Sequence, residues 1–370
     1  MELHGKKIMM LATTDNMLWQ FLLPHIKYLQ EKGCMVECVC HKTGFWFDEL
    51  KNNFGLKMHD IEFERSPLNI RNYKALKKLY KLQEKEKYDI VYCQQPVGGM
   101  MGRLISKKFK IPCIYTAHGF HFFKGNSKIK NFIFRNVEKY LAKYTDALIT
   151  INDEDFNACR EWKAKRKYKI SGIGFDFNKY EKALSNREIK KELNISDEFV
   201  ILTVAEFIKR KNYDTMLKTI AKLKDENIKF LVCGTGRDKL IIEEQIKNLN
   251  IEDKVQLLGY RKDINNLMTI SNAFFLPSHQ EGLTLSIIEA LNFGLPVVTS
   301  DVRGNKDLVD DGVGGFVCDQ NDYNAFAEKF KLLIKDANLC KSMSVVNLKN
   351  AKKYDIDNVK KELEKIYMEM

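Results

Sequence analysis

No stretch of the 370 residues approaches the ~18 consecutive apolar residues that a membrane-spanning helix needs, so a transmembrane protein is not expected. A secretory leader is not expected either, because Met1-Glu2-Leu3-His4-Gly5-Lys6-Lys7 runs straight into a strand-like segment. The nine cysteines are scattered and odd in number, and no Cys-x-x-Cys pair is present. That argues against a zinc or redox centre and for reduced, mostly buried thiols in cytosol. Low-complexity segments and short-period repeats are also missing, which excludes solenoids. Gly234-Thr235-Gly236 follows a strand-like run, but the later glycine and acid of a dinucleotide fingerprint are absent. No His/Cys/carboxylate cluster has ligand spacing. The two literal Asp-x-Asp matches are Asp153-Glu154-Asp155 and Asp355-Ile356-Asp357, and the first reads as an acidic helix start. Neither a metal nor an organic cofactor is expected.

What is present is a chain long enough for two domains of ordinary size, with 45% hydrophobic residues. Strand-like runs occur at Lys7–Ala12, Met35–Cys40, Ile90–Cys93, Cys113–Tyr115 and Ala147–Ile151. A second set covers Val200–Val204, Phe230–Cys233, Val255–Leu258, Ala273–Leu276 and Pro296–Thr299. Between them Leu18–Glu31, Tyr73–Lys85, Ile129–Lys143, Tyr213–Asp225 and Lys239–Asn248 place apolar residues at helical spacing. Two sets of strand–helix alternation predict an α/β protein of two Rossmann-like parallel-sheet domains. The expected division is residues 1–180, residues 181–352, and an amphipathic C-terminal segment, 353–370. Ligands of such sheets sit at the carboxyl ends of the strands.

Charge is unevenly shared. Of 61 Lys and Arg and 49 Asp and Glu, residues 1–180 carry 32 and 19, which leaves 29 and 30 for the remainder. A basic half beside a neutral half points to an anionic partner: a membrane face, a lipid diphosphate or nucleic acid. Excess lysine that merely solvates helices explains the same numbers equally well.

Glu281 and Glu289 stand out among the carboxylates. The run Ala273–Leu276 ends at Pro277, Gly282 permits a tight turn, and Thr284 to Leu291 has the pattern of a helix. One carboxylate thus lies at a strand-to-helix turn and the other inside the helix that follows. Free amides at the helix start, at Gly282, Leu283 and Thr284, suit a phosphate, and carboxylates accept hydrogen bonds from sugar hydroxyls. An isolated pair of this kind is more often two solvated glutamates, so the surroundings carry the weight.

Those surroundings are Phe293-Gly294-Leu295-Pro296-Val297-Val298 and Asp311-Gly312-Val313-Gly314-Gly315-Phe316 after the glutamates. The first half contributes Gln95-Pro96-Val97-Gly98-Gly99, Tyr115-Thr116-Ala117-His118-Gly119-Phe120-His121-Phe122 and Ala147-Leu148-Ile149-Thr150-Ile151-Asn152. Together they resemble the family 4 retaining glycosyltransferases, in particular a bacterial capsular and exopolysaccharide subgroup, over nearly the whole chain. The resemblance implies the GT-B fold, with two domains facing a cleft and a C-terminal helix crossing back to the first. It implies that Glu281 faces the transferred sugar, Glu289 the ribose, and Lys211 the diphosphate. The family often has an arginine where this chain has Glu206, and Lys209 or Arg210 could supply that charge. Gly234, Tyr260 and Arg261 are expected to border the donor pocket, with uracil as the base. His118 resembles a family histidine near the reacting centre. On the acceptor side the candidates are Thr14, Asp15, Asn16, Gly98, Gly99 and Lys124; a glycine pair common in the family is missing at Thr13–Asn16.

The implied activity is retaining transfer of a hexose or N-acetylhexosamine from a UDP-sugar to a lipid-linked (polyprenyl diphosphate) saccharide, in surface polysaccharide assembly. A nucleotide-sugar epimerase or a non-catalytic nucleotide-sugar-binding subunit would share much of the pattern; nucleic acid is not an expected partner. Lys124–Arg135 mixes cations with Ile129, Phe132 and Ile133 at helical spacing. That suits either an interfacial helix on an anionic membrane surface or a helix that buries those residues. A cytoplasmic protein, peripheral at the inner face of the plasma membrane, is the expectation.

Overall fold

The computed structural model describes residues 3–64, 69–177 and 185–370. The chain divides into two compact units, Met1–Gly174 with Ile356–Met370, and Phe175–Asp355. The expected boundary at 180/181 falls outside the described residues.

The first unit is built on β1 (Lys7–Thr14), β2 (Met35–His41), β3 (Lys57–Asp60), β4 (Ile90–Gln94), β5 (Cys113–Ala117), β6 (Ala147–Thr150) and β7 (Arg166–Lys169). All pair in parallel, in the order β3-β2-β1-β4-β5-β6-β7. The central strands are buried along nearly their whole length, as parallel strands covered on both faces must be, hence runs such as Ile8-Met9-Met10-Leu11-Ala12. Sequence patterning did not single out β3 or β7. Both are edge strands, Lys-Met-His-Asp and Arg-Lys-Tyr-Lys, with exposed ends. Polar, lysine-bearing edges resist pairing with other chains and for that reason lack an apolar pattern.

The Pro96–Phe109 helix lies tightly on this sheet because of glycine. A Cβ on Gly99 would come within 2.2 Å of the Tyr115 ring, and one on Gly102 within 2.5 Å of Cys93 Cβ. The helix Ile356–Glu369 completes the unit: Val359, Leu363, Ile366 and Tyr367 are buried, and the Tyr367 ring meets Tyr92 edge-on at 6.1 Å. Glu362 accepts from both the amide and the hydroxyl of Ser171, at 2.8 and 2.9 Å, and Lys32 pairs with Glu364 at 2.6 Å.

The second unit has β8 (Phe199–Val204), β9 (Ile228–Cys233), β10 (Val255–Gly259), β11 (Ala273–Leu276), β12 (Val297–Ser300) and β13 (Gly315–Cys318). They are again parallel, in the order β10-β9-β8-β11-β12-β13. Its core includes Phe275, which meets Phe326 at a tilt and Phe330 edge-on, with ring centres 5.2 and 5.0 Å apart. β13 begins at Gly315, whose Cβ would lie 2.0 Å from the Val297 carbonyl oxygen, so glycine is what lets this strand pair with β12.

The strand order reverses between β1 and β4 in one sheet and between β8 and β11 in the other. Loops diverge at the carboxyl ends of such strand pairs and leave a crevice there. The candidate residues lie in these loops.

Candidate active site

At the β8/β11 reversal, the segment after β8 turns through the 3₁₀ helix Lys209–Lys211 and the left-handed Asn212 (φ 62°) into the Tyr213–Lys222 helix. Asn212 donates from Nδ2 to the carbonyls of Pro277 (2.8 Å) and Gln320 (2.7 Å), which ties this turn to the segments after β11 and β13. The His279 amide donates to the Arg210 carbonyl at 2.8 Å. These ties bring Glu281 onto two cations: Lys211 Nζ is 2.7 Å from Oε1, and Arg210 Nη1 is 2.6 Å from Oε2 and 2.8 Å from the Gln280 carbonyl. Glu281 and Lys211 are buried, whereas the Arg210 side chain is 40% exposed. Burial opposes ionisation of Glu281, but the charges of Lys211 and Arg210 outweigh it and hold the carboxyl below its ordinary range. The arrangement is an ionised carboxylate flanked by two fixed cations.

Of Lys209 and Arg210, it is Arg210 whose side chain reaches Glu281. Lys209 is exposed and borders a separate cavity of about 690 Å³ with Asp214, Lys218 and Arg237. Glu206 is exposed. Gly234 and Gly236 admit the loop after β8: a Cβ on either would lie 1.9 Å from the Ala205 carbonyl oxygen or 2.5 Å from that of Phe207. Tyr260 is largely exposed at the end of β10. The Arg261 guanidinium pairs with Asp263 (2.8 and 2.7 Å) and Glu192 (2.7 Å).

The helix after Glu281 spans Leu285–Asn292, with Gly282, Leu283 and Thr284 in the turn before it and Glu289 half-buried on it. Thr284 does not cap the helix; its hydroxyl donates to Asn305 Oδ1 at 2.6 Å. Behind the turn stands a segment that sequence reasoning missed, Arg303-Gly304-Asn305, at the carboxyl end of β12. Arg303 Nε donates to the Glu281 carbonyl at 3.1 Å, and a Cβ on Gly304 (φ 83°) would meet the Gly282 carbonyl oxygen at 2.3 Å. A glycine just past a strand adjacent to β11 is the signal that could have found it.

In the first unit, His118 follows β5, and its Nε2 donates to Gln94 Oε1 at 2.8 Å. Burial pushes its pKa down to about 4, with His25 adding to the shift, so the imidazole is neutral at ordinary pH. On the acceptor side the structure gives the candidates the following partners. The Asp15 carboxylate is fully buried and accepts from the Thr43 hydroxyl and the amides of Asn16, Gly44 (3.2 Å) and Phe47 (3.1 Å), so it fastens the loop after β1 to that after β2. Gly98 and Gly99 are buried, Gly98 against the backbone of Leu11 and Ala12 and Gly99 against the Tyr115 ring. Thr14 ends β1, half-buried, with Asn16 half-buried beyond it. Lys124 is exposed, and its amide donates to Glu154 Oε1 at 3.2 Å.

The helix Lys128–Leu141 turns Glu138 and Leu141 inward, and Arg103 Nη1 grips Glu138 at 2.7 Å. Ile129 and Phe132 are 73% and 72% exposed, so the alternative in which they pack into the core is wrong. Among the described residues, no group of three or more His, Cys, Asp or Glu is placed to hold a metal ion, and no helix is long and apolar enough to cross a membrane. Asp153–Asp155 occupy the first turn of a helix capped by Asn152.

Two Rossmann-like units, with a cation-flanked carboxylate at one topological reversal, define a GT-B glycosyltransferase. The family model "Glycosyl transferases group 1" matches residues 185–353, and "Glycosyl transferase 4-like" matches residues 7–152. The UDP-Gal:alpha-D-GlcNAc-diphosphoundecaprenol alpha-1,3-galactosyltransferase of Escherichia coli is 32% identical over 70% of this chain and 69% of its own length. The putative glycosyltransferase EpsD of Bacillus subtilis is 28% identical over 98% and 96%. Anabaena HepE, solved with UDP, superposes with a TM-score of 0.82 at 19% identity, covering 98% of this chain and 100% of its own. The chain belongs to the family 4-like glycosyltransferases and is a transferase.

Proposed function

We propose that this enzyme transfers a hexose or N-acetylhexosamine from a UDP-sugar to a lipid-linked saccharide in surface polysaccharide assembly, with retention at the anomeric carbon. The observation that carries the reading is Glu281 held between Lys211 and Arg210 at the carboxyl edge of β8 and β11. In this scheme the two cations receive the charge that develops on the departing UDP. Glu281 both orients them and accepts from the sugar hydroxyls, while Glu289 takes the ribose. An oxocarbenium-like transition state is attacked by the acceptor hydroxyl on the leaving-group face. The acceptor proton passes to the diphosphate oxygen, and neutral His118 donates to or accepts from the sugar without changing charge. The protein cations supply what a divalent ion would otherwise supply, so chelators should leave turnover unchanged. The donor and acceptor classes are supported by the UDP complex of HepE and by the name of the E. coli relative.

The enzyme works at the cytoplasmic membrane surface. Support comes from the exposed Ile129 and Phe132 among Lys128, Lys130 and Arg135, the composition of an interfacial helix. The test is incubation with a panel of UDP-sugars and a diphosphate-linked N-acetylglucosaminyl lipid, with NMR of the product. An α-linked product from an α-linked donor is expected. A β-linkage would refute retention, and an epimerised UDP-sugar without glycoside would refute transfer.

A further inference from the structure

A second charged cavity, of about 450 Å³, lies in the first unit away from the strand ends that carry His118. Its lining comes from the residues just before β5, β6 and β7, that is, from the amino edge of the sheet. Lys107, Lys110, Lys143 and Lys165 surround it, with Tyr144 and Asp146. Asp146 pairs with Lys165. No carboxylate pairs with Lys107, Lys110 or Lys143 among the described residues, so the cavity carries uncompensated positive charge. Such a cluster costs self-repulsion, and an anion would relieve it.

Lys107 of the cavity also reaches Tyr140 on the Lys128–Leu141 helix. Ile129, Phe132, Ile133 and Tyr140 follow one another at intervals of three, one and seven residues, which places them on one stripe, and all four are exposed. At the end of that stripe, the Tyr140 hydroxyl accepts from Lys107 Nζ at 2.9 Å, and Lys107 lies 5.0 Å from the centre of the Tyr144 ring. The stripe therefore spans about 17 Å from Ile129 to Tyr140 along a helix of 14 residues and ends at a basic pocket. A free anion would have no use for the stripe. A lipid uses both parts: acyl chains against Ile129 and Phe132, phosphate among the lysines.

We propose that the Lys107–Lys110–Lys143 cavity seats the phosphate headgroup of an anionic phospholipid and so fixes the amino edge of the first unit to the bilayer. The inference rests on the membrane reading above and adds to it a discrete headgroup site. With both ends of the helix held, the helix lies flat on the membrane instead of dipping at one end.

The test is flotation of the full chain with phosphatidylcholine vesicles, with and without a minor fraction of phosphatidylglycerol. Each lysine at an anionic surface is worth roughly fivefold in affinity, so Lys107→Gln/Lys110→Gln/Lys143→Gln should lose on the order of a hundredfold on phosphatidylglycerol vesicles. A control, Lys224→Gln/Lys247→Gln/Lys335→Gln, removes the same charge from the second unit and should lose only a few-fold; unchanged melting temperatures verify folding. Equal losses for the two triple variants would overturn the pocket while leaving membrane binding intact. Wild-type protein that binds neither vesicle removes the membrane reading and the pocket with it. Soluble glycerol phosphate that stabilises the protein through these lysines, when vesicle binding ignores them, would reassign the seat to a free anion.

Discussion

Replacing Glu281 by alanine tests the central feature of the site through stability as well as turnover. The substitution leaves the Lys211 ammonium, whose side chain is 11% exposed, without its carboxylate. Removing one partner of a buried ion pair costs about 3–5 kcal/mol, because the remaining charge stays desolvated. In a unit the size of Phe175–Asp355, that corresponds to a fall of roughly 6–20 °C in melting temperature. Glu281→Ala/Lys211→Met, which removes both charges and keeps the volume of the lysine, should recover most of it. Arg210→Ala should cost about 1 kcal/mol or less, since its side chain is 40% exposed and solvent screens the pair. The assay has a built-in discrimination. All three tryptophans, Trp19, Trp46 and Trp162, lie in the first unit, so tryptophan fluorescence follows that unit while calorimetry follows both. The Glu281→Ala shift should appear in the calorimetric transition that tryptophan does not report. A shift under about 2 °C, with no recovery in the double variant, would refute the claim that this carboxylate holds a buried cation.

His25 and His118 both have pKa values pushed down to about 4, each by burial first. A histidine that stays neutral in the fold binds fewer protons than in the unfolded chain, so stability falls as pH drops from about 6.5 towards 4. Roughly 2 kcal/mol per histidine should be lost by pH 5, and His25→Gln should flatten part of that slope in denaturant titrations. Glu281, held below its ordinary range, acts lower on the scale: its contribution is present above the unfolded carboxyl pKa and disappears as pH falls through the folded value, a limb absent in Glu281→Gln. Gly99→Ala, forced against the Tyr115 ring, should destabilise the first unit by about 1–3 kcal/mol, seen in tryptophan fluorescence. Gly304→Ala should depress turnover by displacing Gly282, with a smaller effect on melting than Glu281→Ala; unchanged turnover would show that this turn does not shape the site.

Sheet and site were unequally legible. Buried parallel strands advertise themselves as apolar runs, so the central strands were readable, whereas the edge strands β3 and β7 carry the lysines that protect an edge and look like loop. Glu281 was readable because the strand, proline and glycine before it place it at a carboxyl end. The sequence does not separate Arg210 from Lys209 as its partner, since adjacent residues in a 3₁₀ turn point in different directions and only the tertiary ties through Asn212 and His279 decide which meets the carboxylate. The partners of Asp15, Gly98 and Gly99 are not legible in the sequence, for a common reason. A polar or small residue at a strand end can serve the loop or the packing as readily as a ligand, and the difference lies in partners such as Thr43 and Tyr115, distant along the chain.

Because the Ile356–Glu369 helix belongs to the first unit, the first unit cannot finish folding in the order in which it is synthesised. Residues up to Gly174 leave the ribosome early, but the apolar surface around Ile8, Ile90 and Tyr92 waits for Tyr367. The second unit is continuous in sequence and can close on itself first. A stop codon early in that helix, at or before Val359, would therefore release a chain whose intact half is the later-made one, with a hydrophobic face left open for chaperones or proteases on the half that was translated first.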